Sequence, residues 1–462
     1  MKYMSILEVL LVFKLVLYVN GGRPCASMSF GDSSVVCVCN TTYCDTLDPL
    51  RMPAKGSYIL YESSKSGKRL ESTTGPFIKS IQDSGLKFTF NVDKKYQQIK
   101  GFGGAVTDSA TVNILSLTKE AQENLLRSYF SEDGIEYNVI RVPMASCDFS
   151  LHVYTYADSP DDFDLKNFSL AKEDVEMKIP LIQRAISMSK RPISLFASPW
   201  TSPAWMKTNE DVSGKGTLKG AAGDKYHKTW ANYFVSMLSA SKVFQANIQF
   251  FSALDGVISV LSDMKAARYI NGIAVHWYMD EFAPAGITLS TTHKLFPEYY
   301  LFATEACTGF LLYGKGVQLG SWERGNQYSE DIIKDLNNYV TGWTDWNIAL
   351  DLKGGPTWVE NYVDSPVIVD TAKDTFYKQP MFYHLAHFSK FIPEGSQHVG
   401  LDSPEKSKLE TVAFLRPDGA ATLVVLNQAH ADVKFVIWDP EVGYINAVSH
   451  ADSIQTYVWR RS

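Results

Sequence analysis

The run Phe302-Ala303-Thr304-Glu305-Ala306-Cys307 sets a single carboxylate at the end of an apolar stretch. A glutamate in such surroundings stays buried only with a partner or a task. A structural ion pair, with Arg141 as the cation, is the plain reading; catalysis is the other. Company on neighbouring segments favours catalysis. Trp200, His276-Trp277-Tyr278 and Trp343-Thr344-Asp345-Trp346 all fall on or at the ends of strand-like runs. A carboxylate among aromatics suits glycoside chemistry, in which carboxylates do the nucleophilic and acid/base work and flat rings cover the apolar faces of a sugar. Each tryptophan taken alone reads as core. Other chemistries lack their residues: there is no His-x-x-x-His or Cys-x-x-Cys pair and no Gly-x-Ser-x-Gly elbow. Gly101-Phe102-Gly103-Gly104 lacks the full dinucleotide pattern and reads as close backbone packing. No metal or redox cofactor is expected.

Something must hold these residues together at one place. Strand patterns occur at Gln98–Ala105, Ile135–Met144, Ile193–Trp200, Asn247–Ala253, Ile270–Tyr278, Tyr299–Ala306 and Gly342–Leu350. Helical periodicity lies between several of them, as in Leu117–Tyr129 and Lys228–Ser239. Repeated βα units with near-continuous apolar strands predict a parallel sheet, and this many predict a (β/α)8 barrel. Barrel enzymes place their chemistry at the strand ends, where the candidate residues fall. The count gives seven strands, not eight. Between Ala253 and Ile270 lie only the sixteen residues Leu254–Tyr269, which read as one helix. A barrel unit takes about 31 residues, so about one βα unit is missing.

Flanking segments are of another kind. Ser57–Tyr61, Leu86–Val92, the hairpin Thr411–Leu415 with Ala421–Leu426, Lys434–Trp438 and Ile454–Trp459 read as strands of an all-β module built from both chain ends. Met1–Asn20 has an early lysine, an interrupted apolar stretch and then two glycines, the layout of a secretory signal. Its apolar run is shorter than the roughly 20 residues of a membrane span. Cys25, Cys37, Cys39 and Cys44 cluster behind it and read as two disulfides, of unspecified pairing, which leaves Cys147 and Cys307 as free thiols. Sequons at Asn40 and Asn167 fit a secreted or lumenal chain. The 462 residues are 45% hydrophobic and 20% charged, enough for a large core and against disorder. A net charge of −6, from 44 basic and 50 acidic residues, argues against nucleic acid as a partner.

Long motifs then carry a resemblance. They are SSVVCVCNTTYCD (33–45), IKGFGGAVTDSA (99–110), VIRVPMASCDFS (139–150), FASPWTSPAWMKTN (196–209), GIAVHWYMD (272–280), LFATEAC (301–307), GWTDWN (342–347) and FYKQPMFYHLAHFSKFIPEGS (376–396). Together they resemble the glucosylceramidases of glycoside hydrolase family 30, from about Arg23 to Arg461. The resemblance implies a retaining β-glucosidase acting on glucosylceramide in the lysosomal lumen, reached by the secretory pathway. It implies a TIM barrel, an immunoglobulin-like β-sandwich and a small disulfide-bearing β-sheet domain. The expected division is a signal peptide at 1–22, the small domain at 23–48 plus about 348–379, the sandwich at 50–96 plus 396–462, and the catalytic barrel at 97–347 plus about 380–395. It pairs Cys25 with Cys37 and Cys39 with Cys44. It makes Glu305 the nucleophile, with Arg141 beside it, and assigns substrate contacts to Asp148, Trp200, Tyr278, Trp346 and Asn361. Implied partners are a saposin-type activator, an anionic lipid surface met by peripheral contact only, and a lysosomal sorting receptor.

One part of the pattern is absent. The family's acid/base lies in an Asn-Glu-Pro motif closing the fourth barrel strand, and this chain contains no Asn-Glu-Pro. Its fourth strand passes from Phe250-Phe251-Ser252 into Ala253-Leu254-Asp255. The motif and the strand count therefore point to one internal deletion near Ser252–Asp255. Asn209-Glu210, Asp255, Asp280 and Glu281 are the conceivable substitutes, each without the motif's context. An inactive glycolipid-binding protein and an incomplete gene model of the active enzyme are the competing expectations.

Overall fold

The computed structural model describes residues 22–80, 85–241, 251–253, 264–268, 270–279, 283–311, 314–403 and 407–461. The signal-like segment up to residue 21, the first part of the fourth strand, most of the helix expected at Leu254–Tyr269, and the candidates Asp255, Asp280 and Glu281 lie outside the described residues. Within that range, Met264–Ala267 is helical.

Seven strands form one wholly parallel sheet. In chain order they are Gly101–Ala105, Val139–Met144, Ser194–Pro199, Phe251–Ala253, Gly272–His276, Tyr300–Glu305 and Val340–Asn347. They lie side by side in the order third, second, first, seventh, sixth, fifth, fourth. That is the cyclic order of a barrel, with no ladder from the third strand to the fourth among the described residues. The fourth strand pairs directly with the fifth, Phe251 beside Gly272 and Ala253 beside Ala274. Close packing explains the glycines of the first strand. A Cβ on Gly103 would sit 1.8 Å from the Val139 carbonyl oxygen, and one on Gly342 would sit 2.1 Å from that of Gly101. The first and seventh strands are buried along their whole length, as expected of parallel strands covered on both faces.

The expected helices are present: Lys119–Phe130 is shifted slightly from the predicted range, and Lys225–Ser241 is longer at both ends. A π-helical turn, Glu173–Lys178, runs into the helix Ile179–Met188. The helix Pro380–Ser389 is buried on every side. Its His387 ring meets Thr456 Oγ1 at 2.8 Å and Ser63 Oγ at 2.9 Å, on two strands of the other sheet.

That other sheet has nine strands and draws on both chain ends. Ser57–Ser64 pairs antiparallel with Ser453–Arg460, and Leu86–Gln98 pairs with Gln397–Asp402. Its own core gathers Phe88, Phe90, Phe435, Tyr457 and Trp459. A third sheet of five strands pairs Val36–Asn40 with Thr375–Lys378. It carries disulfides Cys25–Cys37 and Cys39–Cys44, with Cα separations of 5.1 and 4.3 Å. Cys147 and Cys307 are free and buried. The buried Lys378 ammonium meets Asp45 at 2.7 Å, and Tyr383 on the buried helix donates to the same carboxylate at 2.6 Å. Among the described residues no helix is long and apolar enough to cross a membrane.

Candidate active site

The C-terminal ends of the barrel strands bring the candidate residues to one face. Glu305 ends the sixth strand, and Arg141 lies on the second. Trp200 directly follows the third strand, Tyr278 sits in a short turn after the fifth, and Trp346 lies near the end of the seventh. Asp148 is on the loop after the second strand, and Asn361 on the loop after the seventh.

Both carboxylate oxygens of Glu305 are held. Arg141 Nη1 pairs with Oε2, and the Tyr278 hydroxyl donates to Oε1 at 2.9 Å. The guanidinium is fixed in turn by Ser198 Oγ, 3.2 Å from Nε and 3.0 Å from Nη2, and by the Thr304 carbonyl at 3.2 Å. Burial, with the Cys307 thiol and Glu305 beside it, raises the Tyr278 hydroxyl pKa far above its ordinary value, so it remains a donor. A buried carboxylate with a charge-assisted bond on one oxygen and a phenol on the other cannot rotate freely. That is the arrangement a carboxylate nucleophile needs. The ion pair with Arg141 is therefore present, and it belongs to the site rather than replacing it.

The two tryptophans stack on each other beside the cation. Their rings stack with centroids 5.0 Å apart and an interplanar angle of 15°. The Arg141 guanidinium carbon lies 5.0 Å from the Trp200 centroid and 4.9 Å from that of Trp346. Trp200 is exposed, and Trp346 is buried against Phe149. Trp277 and Trp343, by contrast, pack around Tyr328 as core.

Asp148 is reached from the loop after the seventh strand. Asn361 Nδ2 donates to its Oδ2 at 2.8 Å, and Thr357 Oγ1 donates to its backbone carbonyl at 2.8 Å. The other oxygen, Oδ1, is buried without a hydrogen-bond partner. Burial raises the pKa of this carboxyl, against the Asn361 hydrogen bond, and the nearby Glu305 charge raises it further. A buried acceptor left open calls for a partner from outside the described chain. His276 stands opposite Glu305 in the strand register. Desolvation lowers its pKa, with Arg141 acting in the same sense and Glu305 opposing.

Glu210 is on a surface loop, exposed and ion-paired with Lys219 at 3.0 Å. Among the described residues, one grouping has the spacing of a metal site: Cys39, Cys44 and Asp45. Its two thiols are joined in a disulfide. Sequence reasoning did not single out Ser198 or Thr357. Ser198 was legible as the small polar residue two before Trp200 in a strand; Thr357, on an irregular loop, had no local signal.

Comparison with known proteins follows the same lines. Residues 99–256 and 255–392 match the profile described as Glycosyl hydrolase family 30 TIM-barrel domain, and 395–457 match that of the family's beta sandwich domain. The barrel match comes in two pieces that meet at 255–256. The chain is 52% identical to "Lysosomal acid glucosylceramidase" of Mus musculus, covering 97% of this chain and 98% of that protein. That alignment runs over 505 residues, more than the 462 of the chain, so the mouse protein has positions with no counterpart here. It is 39% identical to "Putative glucosylceramidase 4" of Caenorhabditis elegans, covering 88% of each. Among solved structures, SrfJ from Salmonella typhimurium superposes with a TM-score of 0.78 at 25% identity, covering 88% of this chain and all of that one.

Proposed function

The chain belongs to glycosyl hydrolase family 30, and we propose that it is a glucosylceramide-directed β-glucosidase of the retaining type, with Glu305 as its nucleophile. The observation that carries the reading is the double hold on Glu305 by Arg141 and Tyr278 at the C-terminal face of the barrel. In the first step a Glu305 oxygen attacks the sugar's anomeric carbon as the bond to the leaving oxygen breaks. In the second, water takes the anomeric carbon and Glu305 is released. Asp148, Trp200 and Trp346 contact sugar hydroxyls, and Tyr278 and Asn361 line the pocket.

The leaving oxygen needs a proton, and the Asn-Glu-Pro segment that would supply it is absent from this sequence. Positioned proton transfer is worth roughly 10²–10⁴-fold in rate, and a ceramide alkoxide leaves poorly without it. This absence favours a second reading: a protein that binds glucosylceramide and turns it over slowly or not at all. An incomplete gene model would account for the same gap.

Met279, Leu311, Leu352, Trp358 and Val359 are exposed on loops that follow barrel strands. Apolar side chains around the mouth suit ceramide tails and a lipid surface, and an anionic surface and a saposin-type activator belong to this reading. A lumenal, lysosomal location by way of a signal peptide is supported by the two disulfides and by the named mouse relative. Sugar chains at Asn40 and Asn167 and a sorting receptor belong to the same reading, as does the division into signal, small sheet, sandwich and barrel domains.

An activated 2-deoxy-2-fluoroglucoside tests the nucleophile, because its leaving group needs little acid help. Peptide mapping after incubation with the full chain is expected to find the label on Glu305. A label on any other residue overturns the assignment.

A further inference from the structure

Behind the loop that carries Asp148 lies a charge cluster with no part in the mechanism above. Lys178 is fully buried, and its ammonium lies 2.8 Å from Asp108 Oδ1 and 3.0 Å from Asp174 Oδ1. Tyr156 donates to Asp174 at 2.8 Å, and Tyr154 donates to Asp108 Oδ2 at 2.9 Å. Burial pulls the lysine toward its neutral form. Asp108 and Asp174 outweigh that pull and hold its pKa well above the ordinary value. A buried ion cluster of this kind is a poor source of net stability, because desolvation cancels much of the attraction. Its geometry gives it another use.

Asp108 opens the helix Asp108–Leu115, where a carboxylate is favoured by the helix dipole. Its Oδ2 accepts the Ser150 hydroxyl at 2.5 Å, and that same Ser150 oxygen accepts the Cys147 backbone N–H at 3.1 Å. Ser109 N donates to the Phe149 carbonyl at 3.0 Å. The turn Cys147–Ser150, with Asp148 inside it, is thus tied to the helix start. On its other side the turn is held by Trp358 Nε1 on the Cys147 carbonyl at 2.9 Å and by Thr357 and Asn361 on Asp148. Lys178 fixes the carboxylate on which the first set of ties depends.

We propose that the buried relay Lys178–Asp108–Ser150 is a positioning device for Asp148, holding its open oxygen at the place where a sugar hydroxyl docks. This rests on the reading of Asp148 as a sugar contact. The three relay residues touch no substrate and act only through the turn.

The test is binding rather than turnover, so it applies to the full chain without its acid. Calorimetric affinity for 1-deoxynojirimycin, a glucose-shaped iminosugar, is measured for the parent, Ser150→Ala, Asp148→Asn and the double variant. Ser150→Ala removes one hydroxyl and no charge. It is expected to weaken binding about tenfold with the melting transition still cooperative. The double variant is expected to bind no more weakly than Asp148→Asn alone, within about twofold, because the relay has no other route to the ligand. Unchanged affinity in Ser150→Ala overturns the proposal, and so does a double variant whose loss is the product of the two single losses. A general loosening of the fold would give that product. Lys178→Met, where it folds, is expected to show the same coupling to Asp148; where it does not, Ser150→Ala decides. Failure of the nucleophile reading would show in the labelled peptide, and failure of the relay in the calorimeter.

Discussion

Asp148 shows what a half-satisfied buried carboxylate does to the protein that carries it. One oxygen has Asn361, the other has nothing, and burial keeps the charged form unfavourable. The folded state therefore binds this proton more readily than the unfolded chain. This group's contribution to stability is largest below the ordinary value of 3.8 and falls as pH rises through the raised folded value. Asp148→Asn removes the charge and keeps a group that can face Asn361. It is expected to raise the melting temperature by on the order of 1–2 °C at neutral pH. The gain should shrink toward zero as the pH is lowered to about 4. Scanning calorimetry across that range checks it, and a gain that grew toward acid pH would contradict the account. The residues that touch Glu305 were legible in the sequence, since each sits in a long motif at a strand end. The relay behind Asp148 was not. Lys178 falls at the start of an apolar helical stretch, and nothing local says that its ammonium faces inward to two aspartates.

Among the elements, the helix Pro380–Ser389 does the joining. It packs under the barrel, and its His387 ring bridges strands at both ends of the chain. Burial pushes the pKa of this imidazole down to about 3. A histidine with a lowered folded pKa gives its full stability above 6.5 and loses it as pH falls from 6.5 toward the folded value near 3. The loss is roughly 1.4 kcal/mol per pH unit in between. His387→Gln keeps a donor and an acceptor and removes the titration. Its unfolding free energy, followed by denaturant melts, is expected to be about 1 kcal/mol lower at pH 7 and to fall less steeply than the parent's between pH 6 and pH 4. An unchanged slope would mean that His387 does not carry the acid sensitivity. Strand pattern revealed the seven barrel strands because each is apolar and bounded by turn residues. Three strands of the nine-stranded sheet had no such signal. Glu71–Pro76 is polar and exposed, Gln397–Asp402 is short and interrupted by glycine, and Gly443–Ser449 alternates only weakly.

For the molecule as a whole, the place where the described strands form no ladder and the absent Asn-Glu-Pro motif fall at the same stretch of chain. The third and fourth barrel strands are the two ends of the sheet order, and the family match breaks at 255–256. Glucosylceramide turnover by the full chain is expected to lie at least about 10²-fold below that of a relative with the acid in place. A dinitrophenyl glucoside, whose leaving group needs no proton, is expected to be cleaved, and added azide to speed it by replacing the activated water. Initial rates with and without azide check this. Insertion of an Asn-Glu-Pro-bearing segment at 255–256, where the family match breaks, is expected to restore glycolipid turnover and abolish the azide effect. Normal turnover by the unaltered chain would show that another group delivers the proton.

The antiparallel ladder between Ser57–Ser64 and Ser453–Arg460 also sets a timetable. A ribosome adding about 5–20 residues per second makes the first of these strands wait roughly twenty to eighty seconds for the second. Val36–Asn40 waits nearly as long for Thr375–Lys378. The crosslinks Cys25–Cys37 and Cys39–Cys44 span only 12 and 5 positions, so they can close while most of the chain is still unmade. During that interval the emerging polypeptide carries finished crosslinks on a strand paired with Ser27–Met28 alone, its other edge open until Thr375–Lys378 is made.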